Sequence, residues 1–109
     1  QAVADDRSEF MREKLAMTGR IVEGLATEDF DLIRQGATEL NSLSEHAAWK
    51  APNDPYYEYY SGNFSQAARQ LITAAESNSV EKATYAYMHV TVSCTACHQH
   101  VRGRVRVAR

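Results

Sequence analysis

The sequence predicts an all-α chain folded as an antiparallel up-down-up-down four-helix bundle. Three observations lead there. Four stretches carry apolar residues at spacings of three and four, the period of one helix face. The 109 residues include only five Gly and two Pro, so few turns interrupt them. Each stretch runs about 20 residues, or roughly 30 Å, and equal lengths with short connections favour antiparallel neighbours. No strand pattern, internal repeat or second domain is visible, so residues 1–109 are read as a single domain with one core.

The first helix is expected over residues 5–26. Met11, Leu15, Thr18, Val22 and Leu25 form one stripe, widened by Phe10, Met17 and Ile21. Asp5, Asp6 and Glu9 sit in the first turns, where the helix dipole favours acids. Gly24 is a weak point near its end. Thr27 is expected to cap the second helix, with Glu28 and Asp29 in its first turn. Phe30, Ile33, Ala37, Leu40, Leu43 and Ala47 make its apolar face. It should stop near Lys50, because Pro52 disfavours helix at the residue before it.

Residues 50–55 are the clear loop, with Trp49 closing the bottom of the bundle beside it. Asp54 then fits an N-cap and Pro55 the first helical position. Tyr57, Tyr60, Phe64, Ala67, Ala68, Leu71 and Ala75 give the inward stripe of the third helix. Asn78 followed by Glu81 resembles a capping box for the fourth. Val80, Ala83, Tyr87, Val90, Cys94 and Val101 form that helix's face, and Gly103 is a natural stop. The basic tail 103–109 is expected to be a solvated, disordered end.

Formal net charge is −2, unevenly spread. Residues 1–50 hold ten acids and six bases, and residues 51–109 hold four acids and six bases, giving −4 and +2. Arg102, Arg104, Arg106 and Arg109 crowd the end, a cluster read as solvated rather than as a nucleic-acid or membrane site. No apolar run reaches the ~18 residues of a membrane span. The short acidic leader from Gln1 looks like a mature end left by processing.

Near the end of the fourth helix, Cys94, Thr95, Ala96, Cys97 and His98 spell C-x-x-C-H. This is the pattern of a c-type haem attachment site. Each thiol adds across one haem vinyl group, and the adjacent His binds the iron. These are the only two cysteines, so no disulfide framework competes for them. A redox dithiol is a second use of such a pair, but it should open a helix after a strand. A zinc site using His89 or His100 is a third, although the separated Cys and His pairs of a zinc finger are absent. No Ser/His/Asp set, paired-carboxylate motif, P-loop or dinucleotide fingerprint appears, so the chain is not expected to be an enzyme.

Four helices with C-T-A-C-H on the last resembles the cytochrome c prime family, the class II c-type cytochromes. Class I cytochromes c carry the motif near the N-terminus, the reverse order. The resemblance covers nearly the whole chain, and its one highly specific motif is residues 94–98. It implies one covalent haem c packed between the first and last helices, thioethers at Cys94 and Cys97, and His98 as proximal ligand. It also implies an exported, periplasmic-type location and a homodimer through helices one and two.

In that family a residue of helix one closes the distal face. It is Met in low-spin electron-transfer members and a non-ligating Leu, Phe or similar side chain in five-coordinate gas-binding members. Leu15, Thr18, Val22 and Leu25 follow the five-coordinate spacing and put Leu15 over the iron. Met11 lies one turn earlier on the same stripe, and helical side chains lean toward the N-terminus. Met11 with His98 would make a saturated iron and a small electron carrier serving a redox partner protein. Leu15 would leave an open site for nitric oxide or carbon monoxide. The reading favours Met11. Met17 is read as core.

Arg12 and Lys14 are candidates to neutralise the haem propionates, Lys14 by snorkelling from the apolar side, and Arg20 is read as solvated. Of Tyr56, Tyr57, Tyr59 and Tyr60, two are expected inward and two on the surface. His46, His89 and His100 are read as surface or structural. Ala37, Ala67, Ala68 and Ala83 are expected to make room for the porphyrin, leaving the apo chain loosely packed.

Overall fold

A computed structural model describes the backbone of residues 2–48 and 55–108, and the side chains of residues 9–46 and 55–102. Four helices follow one another: α1 (Ala2–Thr27), α2 (Phe30–Ala48), α3 (Pro55–Glu76) and α4 (Val80–Ala108). α1 packs on α2, α2 on α3 and α3 on α4, so each helix lies beside its neighbour in the chain. That pattern is the antiparallel up-down-up-down bundle. Its long axis of 46 Å matches α4, whose 29 residues span about 44 Å. No helix among the described residues is long and apolar enough to cross a membrane.

Two turns are tighter than expected, and both move a cap. α1 runs on through Thr27, whose hydroxyl donates back to the Glu23 carbonyl at 2.8 Å. Glu28 then takes φ 54°, with the Glu28 N–H directed to Leu25 O (3.4 Å) and the Asp29 N–H to Gly24 O (2.8 Å). This satisfies orphan carbonyls at the end of α1. Asp29, not Thr27, caps α2: its Oδ1 accepts from the Leu32 N–H at 3.1 Å. The second turn repeats the device. Asn78 takes φ 57° and closes α3, and Ser79 caps α4 by accepting from the Lys82 N–H at 3.2 Å. In each case one left-handed residue must reverse the chain before a cap can act, so the cap falls later than local composition suggests.

α3 starts at Pro55 as expected, while the proposed stop near Lys50, the cap at Asp54 and the Trp49 contact lie outside the described residues. α4 does not stop at Gly103. It continues to Ala108, and no glycine takes a positive φ. A helical glycine costs only about 1 kcal/mol, which the surrounding helix overrides.

The core joins Ile21 of α1, Ile33, Ala37 and Leu40 of α2, Phe64, Ala67, Ala68, Leu71 and Ala75 of α3, and Ala83, Ala86 and Val90 of α4. The four alanines expected to make room for a cofactor are all buried in this cluster. They let helices approach closely instead. α1 and α2 meet through two notches: a Cβ on Gly24 would stand 2.7 Å from Ile33 Cγ1, and one on Gly36 would stand 2.7 Å from Ile21 Cγ1. Gly24 is therefore a packing site rather than a weak point.

Candidate functional site

The fourth seam is different. α1 and α4 scarcely meet, and an apolar groove of about 560 Å³ lies between them with α3 as its floor. Cofactor pockets run to about 300–1,000 Å³.

The α4 wall is Ser93, Cys94, Cys97 and His98. Cys94 follows buried Val90 by one turn and packs against the core, so this wall continues the core face. Cys97 and His98 come three and four residues later, on the same side one turn up. Both thiols are half-buried and form no disulfide, and His98 is exposed at the edge. Val101, expected on this face, is instead exposed, because the helix has passed the end of the core.

The floor is Tyr57, Tyr60, Ser61 and Phe64. Sequence reading placed Tyr57, Tyr60 and Phe64 inward but did not connect them with the cysteines. The usable signal was antiparallel pairing, which sets the start of α3 level with the end of α4. Tyr56 and Tyr59 point outward, as expected for two of the four. His100 is half-buried with its ring 5.3 Å from Tyr56 and 5.4 Å from Tyr60, a structural histidine. His89 is exposed with its ring edge-on to Tyr85. His46 is exposed.

The α1 wall is Met11, Arg12, Lys14, Leu15 and Thr18. The expected stripe is rotated. The residues that meet the core are Met17, Ile21 and Leu25, whereas Leu15 is 72% and Val22 49% exposed. The notches at Gly24 and Gly36 set this rotation by bringing Ile21 onto α2. Met11 is half-buried on the groove side, and Leu15 stands at the rim. Arg12 is exposed at the mouth, and Arg20 lies off the groove.

Lys14 reaches inward. Its Nζ lies 4.5 Å from the Phe64 ring centroid and 5.9 Å from that of Phe10. Burial pushes its pKa below the ordinary lysine value, while the charges available at Cys94 and Cys97 act the other way. Burial raises the Cys94 thiol in turn, Lys14 opposes that, and Cys97 adds to it.

These residues fit a flat apolar macrocycle. The walls are largely carbon, the two thiols lie three residues apart on one helix, and an imidazole follows at once. A zinc site fits less well: among the described residues no three His, Cys, Asp or Glu side chains are grouped to hold a metal ion.

A family model described as Cytochrome C' matches residues 1–102, which takes in most of the chain and the whole 94–98 motif. No curated relative and no solved structure matched it. Helix order, bundle and match agree that the chain belongs to the cytochrome c prime family of class II c-type cytochromes, whose members carry a covalently bound haem c.

Proposed function

We propose that this protein is a small electron-transfer cytochrome. It carries one haem c, attached through Cys94 and Cys97, with His98 as proximal and Met11 as distal ligand. When bound, that group supplies a one-electron couple at its iron. The chain's own residues hold it, exclude water and set its potential. The observation that carries the reading is Met11, half-buried on the groove wall that faces the α4 wall of Cys94, Cys97 and His98. A Met there raises the potential and keeps the iron saturated in both oxidation states. The chain then acts as a carrier and not as an enzyme, in a periplasmic or otherwise exported setting. A redox protein docks weakly and transiently near the open edge of the groove. The homodimer through α1 and α2 belongs to the same proposal, with Leu15 and Val22 as its large exposed apolar residues on α1.

The second reading is a five-coordinate gas binder with Leu15 over the iron. Leu15 lines the groove, which favours it, but its side chain stands at the rim while Met11 lies deeper. Met11→Leu separates the two. With Met11 as ligand the variant turns high-spin, gains carbon monoxide affinity and drops in potential. An unchanged spectrum moves the distal role to Leu15 and the function to gas binding.

A further inference from the structure

Lys14 is a cation turned into the groove, and among the described residues no acidic side chain lines that groove with it. The one ion pair among the described residues is Arg34 with Asp31, on the outside of α2. Around Lys14 are the rings of Phe64 and Phe10 and, electrostatically, the two cysteines. An aromatic face stabilises an ammonium, more so when water is excluded. A buried charge without an anion is otherwise costly, so this placement calls for a role.

Each thiol S–H adds across a vinyl C=C, sulfur bonding to one carbon and hydrogen to the other, with no net oxidation. The resulting thioethers cannot ionise. With the group bound, the Phe64 and Phe10 rings would still support the ammonium.

Position decides what the charge can do. Cys94 and Cys97 bond the vinyl edge of the porphyrin, and the two propionates leave from the opposite edge. Lys14 lines the same groove as Cys94 and Cys97, with its Nζ 4.5 Å from the Phe64 ring centroid, so it would lie on the thioether side. Arg12, exposed at the mouth of the same groove, would be the base available to the propionates instead.

We propose that Lys14 is a redox-tuning residue: its ammonium, held on the Phe64 ring beside the thioether edge, favours ferrous over ferric iron and does not pair with a propionate. The physical reason is Coulombic. Oxidation adds one positive charge to the iron, and a fixed cation in a poorly solvated pocket opposes it. The inference rests on the haem c reading above but not on which residue is the distal ligand.

The test is potentiometry on holoprotein, comparing wild type with Lys14→Gln, Lys14→Leu and Lys14→Arg. Intact mass first establishes covalent haem in each, and a wild type without it strikes the haem reading, not this one. At fixed ambient potential the ferrous-to-ferric ratio should fall on the order of tenfold in both neutral variants, and Lys14→Arg should restore most of it. The difference should persist in high salt, because a buried charge is little screened. Lys14→Leu provides the comparison should Lys14→Gln load poorly. An unchanged ratio in the neutral variants overturns the proposal. So does a pH-dependent step from propionate ionisation that moves upward in those variants, since the cation would then have been paired with a propionate.

Discussion

The seam between α1 and α2 and the seam between α1 and α4 use the same helix on opposite flanks, with opposite results. Toward α2, Gly24 and Gly36 remove side chains where Ile33 and Ile21 must enter, and the backbones close. Toward α4, α1 presents Met11, Lys14, Leu15 and Thr18, and α4 answers with Ser93, Cys94, Cys97 and His98. Closing that seam directly would bury an ammonium and an imidazole without partners, so the seam stays apart. A bundle opens a cofactor slot by placing residues that resist dry helix contact on one flank, not by thinning its core. The buried alanines make the same point, since they serve the closed seams.

The strongest way to break this comparison is to remove the two thioethers proposed for Cys94 and Cys97. Cys94→Ala with Cys97→Ala should leave all the haem extractable by acidic organic solvent, against none in wild type. Stripped of haem, the variant should exchange amides of residues 11–18 and 93–102 on the order of tenfold or more faster than those of α2 and α3, as expected where buried contacts are few. Uniform exchange across the four helices would mean that the closed seams have no separate integrity.

The next effect tests the closed side. Gly36→Ala drives a methyl against Ile21 and should destabilise the holoprotein by about 1–3 kcal/mol, read as a lower denaturant midpoint. A neutral result would show that the notch is loose.

The smallest effect uses the same substitution away from any seam. A Cβ at Gly19 or Gly62 meets nothing within 4 Å. Gly19→Ala and Gly62→Ala should therefore raise stability by up to about 1 kcal/mol through helix propensity alone. If either destabilises, that face of α1 or α3 is packed against something in solution.

Much of this was legible in advance, and the failures have local causes. Periodicity located all four helices, and Pro55 marked the start of α3. The caps at Asp29 and Ser79 were misassigned to Thr27 and Asn78: the left-handed reversal at Glu28 leaves no compositional mark, and Asn78, a residue that suits both a cap and a left-handed turn, was read as the cap. The face of α1 was read from its aliphatic residues, which put Leu15 and Val22 at the centre. The helix is in fact oriented by the notches at its own Gly24 and at Gly36 of α2, which hydrophobic periodicity does not count. Lys14 was read only as a candidate to snorkel to a propionate, and its place on the ring of Phe64, a residue of a different helix, was not foreseen.

By itself the sequence determined the helix count and pointed to the cofactor class, and it named the three residues proposed to hold that cofactor, since C-x-x-C-H is a local pattern and helical period is a local property. Tertiary structure alone decided which seam opens, that Met11 lies deeper than Leu15, and that Lys14 meets Phe64 beside the cysteines. Those outcomes depend on how far one helix turns about its own axis against another. That angle is set by contacts between residues far apart in the chain, here Ile21 with Gly36 and Gly24 with Ile33, and no single stretch of sequence contains it.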